Sequence, residues 1–109
     1  MTPFPFSILT PGGAPMDGEA VFVGVRTVEG ALGVLARHAP LIAACPPGVV
    51  RVQRPDGWAY FATSACLLST DGETVSVLAG RAAQSDDEDS ARRTALEWER
   101  ETADQNSMM

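Results

Sequence analysis

Up to about Ala83 the chain is punctuated at roughly ten-residue intervals, short apolar runs rich in β-branched and aromatic residues each ending in a turn former. Residues 6–10 stop at Pro11-Gly12-Gly13, and residues 20–25 are too short for a helix and suit a strand. Residues 49–53 and 58–63 flank Pro55-Asp56-Gly57. Proline presets φ there and glycine accepts a positive φ, so the two runs are predicted to pair as a hairpin. Residues 65–69 and 74–79 flank a second tight turn at Asp71-Gly72, and Thr74 and Ser76 alternate with valines as in a strand with one buried face. A lone hairpin is marginal in water, so these strands must pair into packed sheets. The expected fold is mainly β, a flattened antiparallel β-sandwich or barrel over residues 1–84.

The pattern changes after Gln84. Residues 85–90 cluster acids and capping side chains where the positive end of a helix dipole would sit, and residues 91–100 have helical composition. Glu88–Arg92 and Asp89–Arg93 are spaced as i,i+4 pairs in the favourable order, each worth about 0.3–0.5 kcal/mol. Ala91, Ala95 and Trp98 form a thin apolar stripe with Leu96 off it, too narrow for a helix to stand alone. One acidic C-terminal α-helix is therefore expected in residues 85–109, with a frayed tail from Asp104. Its surface partner is either the sandwich or another chain, and Trp98 reads as an anchor for another chain.

The chain has 109 residues and a net charge of −6, the excess of acid lying in the C-terminal segment. An acidic chain without a basic patch does not offset a phosphate backbone, so nucleic acid is set aside as a partner. There is no lysine, which removes Schiff-base and P-loop chemistry. Cys45 and Cys66 lie far apart and there is a single histidine, so metal-ligand spacing is absent and neither a metal nor a cofactor is expected. No basic leader or long apolar run is visible, and a cytosolic chain with two reduced thiols is the simplest reading.

Candidate chemistry is sparse. His38 has a pKa suited to base catalysis but no acidic orienter near it in sequence. Cys45 or Cys66 with His38 would make a thiolate dyad, against which a thiol in an apolar strand is by default buried and inert. Ser64 lacks the glycines of a nucleophile elbow, and Gly30-x-x-Gly33 lacks the third glycine of a dinucleotide fingerprint. Trp58 suits an interface or the core equally. No catalytic residue is assigned. The alternative kept open is a free-standing small β-sandwich enzyme or thiol sensor using Cys66 and His38.

The stretch Gly30-Ala31-Leu32-Gly33-Val34-Leu35-Ala36-Arg37-His38-Ala39-Pro40-Leu41, followed by Pro47-Gly48-Val49, resembles the signature of the epsilon subunit of F-type ATP synthases. Ile8-Leu9-Thr10-Pro11-Gly12-Gly13, Phe61-Ala62-Thr63-Ser64 and Val75-Ser76-Val77-Leu78-Ala79 are similar to further family segments in the same order. Ala31 stands where relatives usually carry an acid. The resemblance implies a non-catalytic rotor subunit that couples the membrane rotor ring to the gamma subunit, peripheral on the cytoplasmic face of the bacterial inner membrane through the complex alone. It places Glu29, Ala31, Arg37 and His38 towards the ring, and Thr10, Ala39, Ala43, Ser64, Ser69 and Ser76 towards gamma. Some relatives bind ATP at the start of the first helix of a C-terminal hairpin. Asp89 and Arg92 are what this chain retains of that motif, its flanking residues differ, and there is room for one helix, so neither ATP binding nor strong C-terminal inhibition is expected.

Overall fold

The computed structural model describes residues 2–107, the last five of them in backbone alone. Ten strands precede one helix: β1 (Phe4–Leu9), β2 (Met16–Ala20), β3 (Phe22–Thr27), β4 (Gly30–Val34), β5 (Leu41–Cys45), β6 (Gly48–Arg54), β7 (Gly57–Thr63), β8 (Cys66–Thr70), β9 (Val75–Ala79), β10 (Ala82–Ser85) and α1 (Glu88–Ser107). They form two five-stranded sheets, ordered β2-β1-β9-β8-β5 and β10-β7-β6-β3-β4. Neither sheet closes into a barrel, so the fold is an open sandwich.

Every expected strand is present, and the expected hairpin forms with Arg54 opposite Gly57 across Pro55-Asp56. Four more strands, β2, β4, β5 and β10, complete the sheet edges. Edge strands need only one partner, and sequences such as Met-Asp-Gly-Glu-Ala in β2 are mostly exposed, so they carry little apolar period to read. The pairing departs from a wholly antiparallel sheet at one place. β1 lies parallel to β9, Phe6 opposite Val75 through Leu9 opposite Leu78, which the long intervening chain allows.

Alternation along the strands builds the interior. Phe4, Phe6 and Ile8 of β1, Val23 and Val25 of β3, Val50 and Val52 of β6, and Val75 and Val77 of β9 all point inward and are buried. Phe6 and Phe61 meet across the two sheets with ring centroids 6.2 Å apart.

Helix α1 lies on the outer surface of the second sheet. Ala91 and Ala95 are buried, and with Trp98 they pack on Ala62, flanked by Val49, Tyr60 and Ala83, while Leu96 faces out as its position off the stripe implies. Trp98 is thus 9% exposed and held within the chain, which corrects its reading as an anchor for a second protein. Arg81 lies over its ring, 4.5 Å from the centroid, and bonds Glu101 at 2.7 Å. Asp87 caps the helix, its Oδ1 accepting from the Ser90 amide at 2.7 Å. The expected Glu88–Arg92 pair forms at 2.7 Å, but Asp89 meets Arg92 at 3.4 Å, whereas Arg93 donates to Ser90 Oγ. The expected tail is helical from Asp104 to Ser107, and Met108 and Met109 lie outside the described residues.

Candidate docking face

The first sheet keeps its outer face bare. The register aligns Leu9 with Leu78, Leu78 with Leu67, and Leu67 with Ala44, an apolar row running across four strands from β1 to β5. The leucines are 37%, 50% and 47% exposed in the order Leu9, Leu78, Leu67. Beside it runs a second row, Ser7, Ser76, Ser69 and Ile42, with Ile42 77% exposed. Residues directly opposite in register share a face, so both rows present their side chains outward together. Small polar side chains thus lie next to branched apolar ones on this face. Shallow depressions flank the rows, one at Leu9, Thr10, Pro11 and Leu78, another at Pro40, Ile42, Ser69 and Ser76.

Of the residues assigned to gamma by resemblance, Ser69 and Ser76 lie opposite one another on this face. Thr10 follows Leu9 at one end of it, at the start of a turn closed by the Gly13 amide bonding the Thr10 carbonyl. Ser64 lies in a bend between the sheets, its Oγ accepting from the Arg81 amide at 2.9 Å. Ala39 and Ala43 belong to the rim. Ala43 sits opposite buried Leu68 and so has the inward orientation, unlike its neighbours Ile42 and Ala44.

The leucines were not among the assigned residues, yet the sequence carried a sign of them. Ile8-Leu9, Leu67-Leu68 and Val77-Leu78 are apolar doublets inside strands of period two, and one member of each must face out. Their outward members fall in one row only through the register, which a single strand does not reveal.

The residues assigned to the ring divide between two ends of β4. Glu29 lies in the turn before it and Ala31 near its start, whereas Arg37 and His38 follow its end, roughly 14 Å away along the strand. Arg37 has φ +62°, a left-handed conformation that a non-glycine residue adopts at some cost, and the His38 Nδ1 donates to the Ala39 carbonyl at 2.7 Å. The His38 carbonyl sits against Gly72 in the β8–β9 turn. Cys66 begins β8 and Thr70 ends it, so His38 and Cys66 are at opposite ends of that strand, roughly 13 Å apart, and form no dyad.

Phe22 explains Gly33 of the signature. Its ring lies across the bare backbones of Gly24 and Gly33, neighbours on β3 and β4, and its edge meets Trp58, which stacks on Tyr60. Trp58 is therefore half exposed within an aromatic cluster on the second sheet. Asp89 and Arg92 pair with each other on the exposed side of α1. Among the described residues no group of three or more His, Cys, Asp and Glu could hold a metal, and no helix is long and apolar enough to cross a membrane.

Comparison with known proteins adds three findings. The family profile described as ATP synthase, Delta/Epsilon chain, beta-sandwich domain matches residues 3–85. The chain is 37% identical over 79% of its length to the ATP synthase epsilon chain of Desulforudis audaxviator, and 36% identical over 84% to that of Halalkalibacterium halodurans. It spans 63% and 69% of those two relatives. In fold it is similar to a chain of the Euglena gracilis mitochondrial ATP synthase OSCP/F1/c-ring assembly, with TM-score 0.66 and 21% identity, covering 72% of this chain and 51% of that one. A chain of the Tetrahymena thermophila mitochondrial ATP synthase central stalk and c-ring gives TM-score 0.58 at 16% identity, covering 73% and 65%.

Proposed function

This chain belongs to the ATP synthase delta/epsilon β-sandwich family, and we propose that it is a non-catalytic central-stalk subunit of an F-type ATP synthase. Its role is mechanical. Ion flow turns the membrane ring, and this subunit helps to clamp the ring to the gamma subunit, so that torque reaches the catalytic head without slipping. Such a part needs a rigid body and two contact surfaces. The sandwich supplies the first through its interior of alternating branched and aromatic side chains. The observation that carries the reading is the bare row Leu9–Leu78–Leu67–Ala44, a contiguous apolar surface across four strands that no other part of the described chain covers.

Gamma is the partner assigned to that row, with Ser69, Ser76 and Thr10 allowing close approach around it. The ring is assigned to the polar loops, where Glu29 at one end of β4 and Arg37 and His38 at the other offer charge-assisted hydrogen bonds. Both contacts would hold the chain at the cytoplasmic face of a bacterial inner membrane, as a peripheral component. The nucleotide role of Asp89 and Arg92 is not proposed, because Arg92 is engaged with both Asp89 and Glu88.

Co-expression with the cognate gamma subunit tests the reading. The expected result is a stable complex on size exclusion at micromolar concentration, lost in the double variant Leu67→Glu/Leu78→Glu although that variant keeps the circular dichroism of the parent. Separate elution of the unmodified chain from gamma would overturn the assignment.

A further inference from the structure

The topology brings Cys45 and Cys66 face to face. β5 and β8 pair antiparallel, and the two cysteines occupy the last register position, directly opposite one another. Both are free thiols, 5% and 7% exposed, with side chains on the inner side of the sheet. Directly opposite residues of an antiparallel pair have Cα atoms about 4.5 or 5.5 Å apart, within the span of roughly 4.4–6.8 Å found in disulfides. Their Cβ atoms are about 4.5–5.5 Å apart against the roughly 3.5–4.5 Å of a disulfide, so closure needs a small inward shift of the two strand ends. Burial first, then the nearby Cys66, pushes the Cys45 thiol up to about 12, while the Cys45 Sγ lies 3.9 Å from the Ala43 carbonyl and the Cys66 Sγ 3.9 Å from the Thr63 hydroxyl. Burial raises the Cys66 thiol too, against a hydrogen bond with Thr63 that works in the opposite direction.

Their place in the fold sets access. Cys45 is the last residue of β5, next to Pro46-Pro47, and Cys66 is the first of β8, next to the Ser64-Ala65 bend. β5 is the outermost strand of its sheet and has one ladder partner. Strand ends at a sheet edge open locally more readily than the centre of a core. The two cysteines, Val25, Thr63 and Arg26 line a small pocket with room for about one water molecule. Arg26, exposed and in none of the ion pairs among the described residues, brings a positive charge to its rim.

We propose that Cys45 and Cys66 are a modification site, a dithiol that exchanges with a small anionic disulfide of the glutathione type and closes into a disulfide joining β5 to β8. The chemistry balances in two steps. Cys66, deprotonated as the strand end opens, attacks one sulfur of oxidised glutathione; the S–S bond breaks and one glutathione leaves as thiolate, taking up the released proton. The Cys45 thiolate then attacks the Cys66 sulfur of the mixed disulfide and expels the second glutathione, which is protonated in turn. One oxidised glutathione is reduced to two thiols, and the protein loses two protons and two electrons, together two hydrogen atoms. Because burial keeps both thiols protonated, exchange proceeds at the pace of local opening and the dithiol is slow to oxidise. Once closed, the bond fixes the edge strand that carries Ile42 and Ala44 on the outer face.

The test uses the full chain with oxidised glutathione at pH 8, followed by intact mass and by alkylation of remaining thiols after denaturation. The expected product is a monomer two hydrogen atoms lighter, with no alkylatable thiol and a melting temperature higher by at least about 5 °C, reversed by dithiothreitol. Cys45→Ser should stop at the mixed disulfide, carrying one glutathione on Cys66. The proposal is overturned if both thiols of the native chain survive conditions that oxidise the urea-unfolded chain. Accumulation of mixed disulfides or crosslinked dimers in the parent would overturn it equally, since either shows that the pair does not close.

Discussion

Replacing Gly33 by alanine would place a methyl carbon 2.8 Å from Cε1 of Phe22, and the same change at Gly24 would meet Phe22 at 2.9 Å and Arg51 at 3.0 Å. No relaxed contact is that short, so the ring must lift from its platform and loosen its contact with Trp58. Gly33→Ala should therefore destabilise the chain by about 1–3 kcal/mol in urea unfolding, and most of that cost should vanish in a Phe22→Ala background. An undiminished cost in that background would show that the ring is not the obstacle. A different residue governs the alkaline side. The unfolded Cys45 thiol ionises near its ordinary value of 9.0, while the folded one stays protonated to about 12. Its stabilising contribution is complete below pH 9 and lost as pH rises towards 12. Melting temperature should fall across that window more steeply for the parent than for Cys45→Ala, measured in the presence of reductant. The sequence showed Gly33 as part of a recognisable signature and Cys45 as an isolated thiol. Neither the ring over the glycine nor the opposed cysteine was legible, because both depend on which strands pair and in what register.

Helix α1 shows the same division between local and distant information. Its stripe of Ala91, Ala95 and Trp98, its acidic first turn and the Glu88–Arg92 pair were all readable from spacing. Its partner was not, since Ala62, Val49 and Ala83 come from three different strands. Trp98 is the main apolar side chain holding the helix down, so Trp98→Ala should cost about 3–5 kcal/mol of docking. Hydrogen exchange should then lose protection along α1 while β3 and β9 retain theirs; uniform loss would mean that helix and sandwich unfold as one unit. At the helix start, bonds from Ser90, first its amide and then its hydroxyl, hold the Asp87 carboxyl below the usual carboxylate range. That contribution is present above the ordinary value of 3.8 and disappears as pH falls through the lower folded value. Helical circular dichroism should therefore decline on acidification below about pH 4, and the decline should be weaker in Asp87→Ala.

Across the whole molecule the two sheets are treated differently, one outer face covered in part by the chain's own helix and the other left bare. The three leucines of the bare face are the outward members of apolar doublets, so they contribute little to the interior. Changing Leu67 and Leu78 together to serine should alter stability by less than about 1 kcal/mol. The same change should reduce binding of a hydrophobic dye to the isolated chain. A large loss of stability would show that the leucines support the fold itself. The sandwich architecture was legible because turn residues recur at regular spacing. The rows were not, since they exist only where four strands are aligned side by side. One such alignment also bears on how the chain is made. β1 and its hairpin partner β2 leave the ribosome early, but β9, the other neighbour of β1, follows only after roughly seventy residues, several seconds at ~5–20 residues per second. During that delay one edge of β1 stands open to any extended segment nearby, including another nascent copy of itself. A parallel pair between the first and ninth strands thus makes the arrival of β9, and not the making of β1 itself, the moment at which this strand is safe from mispairing.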